Sequence, residues 1–300
     1  VTDRSARLSF LAVIAGTALA AQARVNGALR ERAGSAVAVA LVSFTVGTVF
    51  LLGAAAVTGR WRAAVKLRSG TRPWWWLGGL AGASLVASSA AAVPLVGVAL
   101  TAVAVVAGAT VGSLLVDRIG LSPRGRQPLT RPRLAGAALA VGGLLVGTVG
   151  RHGDVRPWLL LVVGGAGFVS AAQQAANGRL QQHTGEALVA ATVSFLVGTT
   201  ALALLVATLA ATSTLPSLHW PATPGLYLGG LGGAAYIALG AFTVSRLGVL
   251  RLTLGTVAGQ LAGGVVLDAL TPSTRAGLDR ASVAAAVCTL AAVVVASRPA

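Results

Sequence analysis

Gln22 and Asn26 lie four residues apart in an apolar stretch, so on a helix they share one face, and the pair recurs as Gln173 and Asn177. Each pair is followed by a serine four residues before a glycine: Ser43 before Gly47, and Ser194 before Gly198. Amides and hydroxyls both donate and accept hydrogen bonds, so such a set suits a neutral hydroxylated or zwitterionic solute better than a bare cation. Gln260 is a third amide in an apolar run, and its counterpart in the other half of the chain is Ala109. Plainer uses stand beside this one. Asn26-Gly27 and Asn177-Gly178 suit a helix end, where either residue satisfies open carbonyls, and buried amides also bond one helix to the next.

Other chemistry is poorly represented. Cys288 is the single cysteine, which excludes an intrachain disulfide, and its apolar surroundings make it a packing residue. His152, His183 and His219 are scattered without the spacing of metal ligands. The seven acids, Asp3, Glu31, Asp117, Asp154, Glu186, Asp268 and Asp279, fall near expected helix ends or in loops. There is no phosphate loop, nucleophile elbow or pair of catalytic carboxylates. The expectation is a protein with no catalytic residues, no metal, no cofactor and no enzymatic activity. A proton-coupled cation exporter needs an acid inside the membrane, and these positions do not offer one.

The elements that must position the amides are membrane helices. Of 300 residues, 55% are apolar and 10% charged, against about a quarter charged in soluble domains, and the mean hydropathy is +0.82. The net charge of +16 raises the question of nucleic acid. The basic residues answer it, because they cluster between apolar runs: Arg60, Arg62, Lys66, Arg68 and Arg72 in one gap, Arg118, Arg124, Arg126, Arg131 and Arg133 in another. Such clusters orient membrane helices, so the expected partner is the bilayer and not a nucleic acid.

Sliding the sequence against itself gives one offset, 151 residues, that holds from Gly16 to Asp117. Between Gly16–Thr48 and Gly167–Thr199, 16 of 33 positions are identical. Phe44 with Phe195, Pro73 with Pro224, Gly97 with Gly248, and Asp117 with Asp268 keep the same phase. Apolar runs of membrane length predict helices near 8–25, 35–58, 74–92, 95–116 and 134–150, then 157–176, 187–211, 225–243, 247–268 and 279–297. The fold expected is all-α, with ten transmembrane helices in two five-helix units, residues 1–151 and 152–300. An odd number of crossings makes the second unit enter the membrane inverted. The N-terminal stretch imitates a secretory signal, but residues 167–180 repeat its pattern within the chain, so it reads as a retained first helix.

With the N-terminus inside, cytoplasmic segments hold 16 of the 23 basic residues, placing both termini in the cytoplasm. Gly255, Gly259 and Gly263 fall four apart, matched by Ala104, Gly108 and Gly112. Gly78 with Gly82, Gly229 with Gly233, and Gly143 with Gly147 repeat the spacing, which reads as packing seams or as a sliding surface for alternating access. Trp74, Trp75 and Trp76 suggest an interfacial belt, and Arg24, Arg246 and Arg251 suggest snorkelling to headgroups.

The pattern Gln-x3-Asn-Gly-x-Leu, then Ser-Phe-x-Val-Gly-Thr, in both halves, with Gly259-Gln260 and Asp268, resembles the YdcZ-type inner-membrane exporters of the drug/metabolite transporter superfamily. The resemblance covers nearly the whole chain, as a tandem fusion of the five-helix unit. It implies a multi-pass transporter of the cytoplasmic membrane. The function read here is export of small polar or amphipathic metabolites, with Gln22, Asn26, Ser43, Gln173, Asn177, Ser194 and Gln260 as the binding set. Since both units are in one chain, a monomer suffices. The alternative is a membrane structural or accessory protein without transport activity.

The topology is testable by cysteine labelling. With Cys288 replaced, a cysteine at Ser122 is expected to react from the cytoplasm and one at Ser217 only from outside; the reverse at either position would refute the inversion.

Overall fold

The computed structural model describes residues 2–123, 125–149, 157–271 and 280–296, without the side chains of residues 2–6, 238 and 240–253. The expected unit boundary at 151/152, together with His152, Asp154, Arg275 and Asp279 and the side chains of Asp3, Arg246 and Arg251, lies outside the described residues. The long helices are α1 (Thr2–Ala33), α2 (Ala36–Val57), α4 (Gly78–Ile119), α5 (Arg131–Val149), α6 (Pro157–Thr184), α7 (Ala187–Ala211), α8 (Gly229–Leu270) and α9 (Arg280–Ala296). A four-residue turn, α3 (Pro73–Trp76), and two 3-10 segments, Arg60–Arg68 and Pro224–Tyr227, complete the described elements. Among the described residues, six stretches are long and apolar enough to cross a membrane.

α1 and α6 run further than their apolar stretches. They end where Gly34 and Gly185 adopt φ of 86° and 79° and their N–H groups bond back to Arg30 and Gln181. These equivalent glycines supply the left-handed cap, and Ser35 starts α2 by accepting the N–H of Ala38. Asn26 and Asn177 therefore lie inside helices, and the capping use of Asn26-Gly27 and Asn177-Gly178 is excluded.

The expected third and fourth helices form one element, α4, broken at Gly97, whose φ of 81° and ψ of 168° interrupt the helix. The two limbs run in opposite directions along α6. On the first, Gly78 faces Ala176 and Asn177 while Gly82 faces Gln173; on the second, Gly108 faces Gly164 and Phe168 while Gly112 faces Phe168. α8 does the same along α1. Gly229 faces Val25 and Asn26 and Gly232 faces Ala18 and Gln22, but Gly255 faces Ala12, Gly259 faces Val13 and Thr17, and Gly263 faces Thr17 and Ala20. Each unit's first helix is thus held between the two limbs of the other unit's longest element.

Equivalent fifth helices pack antiparallel: Gly136 meets Ala292 and Ala296, Gly143 meets Ala285 and Thr289, and Gly147 meets Ala285 and Ala281. That is the arrangement an inverted repeat requires. Glycine seams make these approaches possible, because a Cβ at Gly108 or Gly259 would run into the main chain of Gly164 or Val13.

The second limb of α4 is closed at both ends by the other unit. Asp268, 4% exposed, accepts the N–H groups of Val98 at 2.9 Å and Ala99 at 2.8 Å. At the far end, Arg179 donates to the carbonyls of Gly120, Leu121 and Ser122. A carboxylate at the start and a guanidinium at the end both complement the helix dipole. Asp117, the counterpart of Asp268, instead pairs with Arg133 and is partly exposed.

Two expectations change. Trp74 packs with Val116 and Ala171, and Trp75 and Trp76 pack with Leu180 and Val193, so the tryptophans wedge the connecting turn onto α6 and α7 and do not form a free belt. Arg24 sits nine residues before the end of α1 with Nη1 buried, which is not a snorkelling geometry.

Asp268→Leu strands two buried N–H groups and is expected to cost about 3 kcal/mol of stability, whereas Asp117→Leu breaks a partly exposed ion pair worth under about 1 kcal/mol. Thermal unfolding in detergent checks the order; equal losses would remove the cap from its structural role.

Candidate functional site

The amides sit on α1 and α6 and meet the serines of the following helices. Asn26 Nδ2 donates to Ser43 Oγ at 3.1 Å, and Gln173 Nε2 donates to Ser194 Oγ at 3.2 Å. The two clusters are equivalent in sequence but not in bonding, since the serine takes its hydrogen bond from the asparagine in one unit and from the glutamine in the other. Among the described residues, the buried Oδ1 of Asn177 has no hydrogen-bond partner. Gln22 is buried against Gly232 and Gly233.

Each cluster is covered by glycines of the opposite unit. A Cβ on Gly82 would stand 2.5 Å from Gln173 Nε2, and one on Gly233 would stand 2.8 Å from Gln22 Oε1. Gly78 lies over Asn177, and Gly229 over Asn26. Between the clusters the chain meets its own repeat. Phe44 stacks on Phe195 with ring centroids 4.8 Å apart, and Thr48 and Thr199 share a 2.8 Å hydrogen bond. Both pairs differ by 151 in number, so equivalent residues touch across a pseudo-two-fold axis.

Gln260 stands apart. Its backbone packs against Gly16, six residues before Gln22 on α1, and Thr17 Oγ1 donates to the neighbouring Gly259 carbonyl at 3.3 Å. The structure therefore gathers Gln22, Asn26 and Ser43 in one place and Gln173, Asn177 and Ser194 in another, with Gln260 outside both. A groove of about 570 Å³ opens beside the second cluster, its walls including Trp74, Leu80, Ser84, Leu121, Val169 and Gln173. Its lining is mainly apolar, with Ser84 and Gln173 as the polar side chains. Among the described residues no group of three or more His, Cys, Asp or Glu could hold a metal.

A family model described as "Putative inner membrane exporter, YdcZ", of the drug/metabolite transporter type, matches residues 8–146 and again residues 158–295. The chain belongs to this family. No curated protein matches it. The double match gives the YdcZ unit twice in one chain, and the antiparallel packing of α5 on α9 shows how the two copies sit together. Membership makes the protein an inner-membrane exporter by family, built from apolar helices.

Sequence reasoning missed the part that four residues play in this region. Thr48 and Thr199 carried a signal, being in phase at the repeat offset, but not that they meet. Arg179 replaces Ala28 of the first unit, so the repeat itself hides it. Asp268 was visible as a helix-end acid, yet its partners lie 169 and 170 residues away.

The glycine cover separates two kinds of substitution. Gly79→Ala and Gly230→Ala drive a methyl into the main chain of Ser194 and Ser43, and are expected to cost about 3 kcal/mol or prevent assembly. Gly82→Ala meets the end of the Gln173 side chain, and Gly233→Ala meets that of Gln22 with Phe195 Cζ at an ordinary 3.4 Å, so both are expected to cost about 1 kcal/mol. Yield of monodisperse protein and its unfolding midpoint distinguish them; equal behaviour would mean that the seams are slack.

Proposed function

We propose that the protein is a secondary exporter of small neutral polar or amphipathic metabolites, and that Gln22, Asn26, Ser43, Gln173, Asn177, Ser194 and Gln260 bind them. The observation that carries this reading is the pair of amide–hydroxyl clusters set in oppositely directed units, each covered by the other unit's glycines. Rocking one unit on the other about the Phe44–Phe195 contact opens one cluster while closing its counterpart. The groove beside Gln173 supports the class of solute: an apolar body fits against Trp74, Leu80 and Val169, and a polar end meets an amide that both donates and accepts. The orphaned Asn177 carbonyl offers a further acceptor.

The topology proposed is ten crossings, α4 and α8 each counting as two, in units 1–151 and 152–300. A 42-residue helix is about 63 Å long, roughly twice the hydrocarbon thickness, and the opposed limbs along α6 and α1 support two crossings each. Both termini then lie in the cytoplasm, and the groove beside Gln173 faces the same side as the basic loops. One chain holds both units, so it works as a monomer, without cofactor, nucleic acid or second subunit, in the cytoplasmic membrane.

Proteoliposomes loaded with pooled metabolites test the function. Wild-type protein is expected to move at least one neutral or zwitterionic compound, and Gln173→Leu and Gln260→Ala to abolish its movement at near-normal expression. Glutamine variants that transport like the wild type would displace the amide site, and a wild type that moves nothing would favour the accessory role.

A further inference from the structure

The 3-10 helix Arg60–Arg68 has no buried residue, yet it is firmly placed. Side chains three apart eclipse in a 3-10 helix, so Arg60, Ala63 and Lys66 form one ridge, Trp61, Ala64 and Leu67 a second, and Arg62, Val65 and Arg68 a third. The first ridge holds the α6–α7 turn: Arg60 pairs with Glu186 at 3.2 Å, and Lys66 Nζ donates to the Thr184 carbonyl at 3.0 Å. His183 Nε2 lies 2.9 Å from both the Lys66 and Ser69 carbonyls, so it is the protonated nitrogen, and Leu67 packs with Leu180 and Val193.

The third ridge and Trp61 are left over. The guanidinium groups of Arg62 and Arg68 have no hydrogen bond or ion pair among the described residues. With Trp61, Ala64 and Val65 they line a groove of about 260 Å³. Trp61 and Val65 are each 59% exposed. Large apolar side chains interleaved with unpaired guanidiniums, three residues after the last residue of α2, sit where hydrocarbon meets headgroups.

We infer that this helix is a binding site for an anionic phospholipid, with Arg62 and Arg68 taking the headgroup phosphate and Trp61 and Val65 lying against its acyl chains. A soluble phosphate would satisfy the arginines alone, whereas the exposed Trp61 and Val65 require a ligand with hydrocarbon. A lipid bound here adds to the clasp that Arg60, Lys66 and His183 make on the second unit. The inference rests on the membrane setting and not on the transport reading.

The experiment is lipid retention by native mass spectrometry of the full chain purified from equimolar phosphatidylglycerol and phosphatidylcholine. About thirtyfold preference for phosphatidylglycerol is expected, from roughly fivefold for each arginine with a margin for co-operation. The double variant Arg62→Gln, Arg68→Gln should lose that preference, with its unfolding midpoint in detergent confirming that it is folded. Arg62→Lys, Arg68→Lys should keep part of it. Arg126→Gln, Arg131→Gln removes equal exposed charge from the loop before α5 and the first residue of α5, and should keep all of it. Equal loss in this last variant would reduce the effect to general charge and overturn the site. Equal retention of phosphatidylcholine by the wild type would do so as well, and displacement of the lipid by glycerol phosphate would point to a soluble anion.

Discussion

A helix that begins in the middle of an apolar protein has N–H groups that water cannot reach, and the second limb of α4 begins that way at Gly97. Asp268 resolves the problem from the other unit, and Arg179, also from the other unit, holds the turn that follows the limb through the carbonyls of Gly120, Leu121 and Ser122. The limb thus belongs to one repeat by sequence and to both by electrostatics. Because its ends are fixed, its glycine face meets Gly164 and Phe168 of α6 in one register, while the amides Gln173 and Asn177 of α6 lie against Gly82 and Gly78 of the first limb.

Lipid gives helices no hydrophobic reason to pair, so close main-chain approach has to take its place. Here the approach is exchanged. The long element of each unit embraces the first helix of the other, and at Phe44, Phe195, Thr48 and Thr199 the two repeats meet themselves. The loops follow the same rule. The Arg60–Arg68 helix clasps the α6–α7 turn, while Arg32 and the Ala33 carbonyl at the end of α1 bond to Thr223 and His219 of the other unit. Neither unit finishes its own packing.

Symmetry of backbone does not enforce symmetry of chemistry. Asn26 bonds Ser43, while Asn177 leaves its carbonyl unpartnered and Gln173 takes the serine. Asp268 caps a helix and Asp117 pairs with Arg133. Such departures are what a transporter needs if its two halves are to face different solvents, since two identical gates would favour neither state.

The amino-acid order alone established that the protein lives in lipid, that it is helical, that it is one unit written twice, and that its polar residues inside the apolar runs are amides and hydroxyls. Those follow from composition, run length and a single repeat offset, which are local or periodic properties. It also located the glycine seams, because four-residue spacing marks a helix face without naming the partner. The folded arrangement was needed to show that Asn26 and Asn177 lie inside helices, that the tryptophans wedge a turn, that Gln260 stands apart from the other amides, and that Asp268 caps a helix begun 170 residues earlier. Each of these depends on which helix lies beside which. In lipid that choice rests on backbone approach and hydrogen-bond satisfaction between distant segments, and neither leaves a periodic trace in the chain.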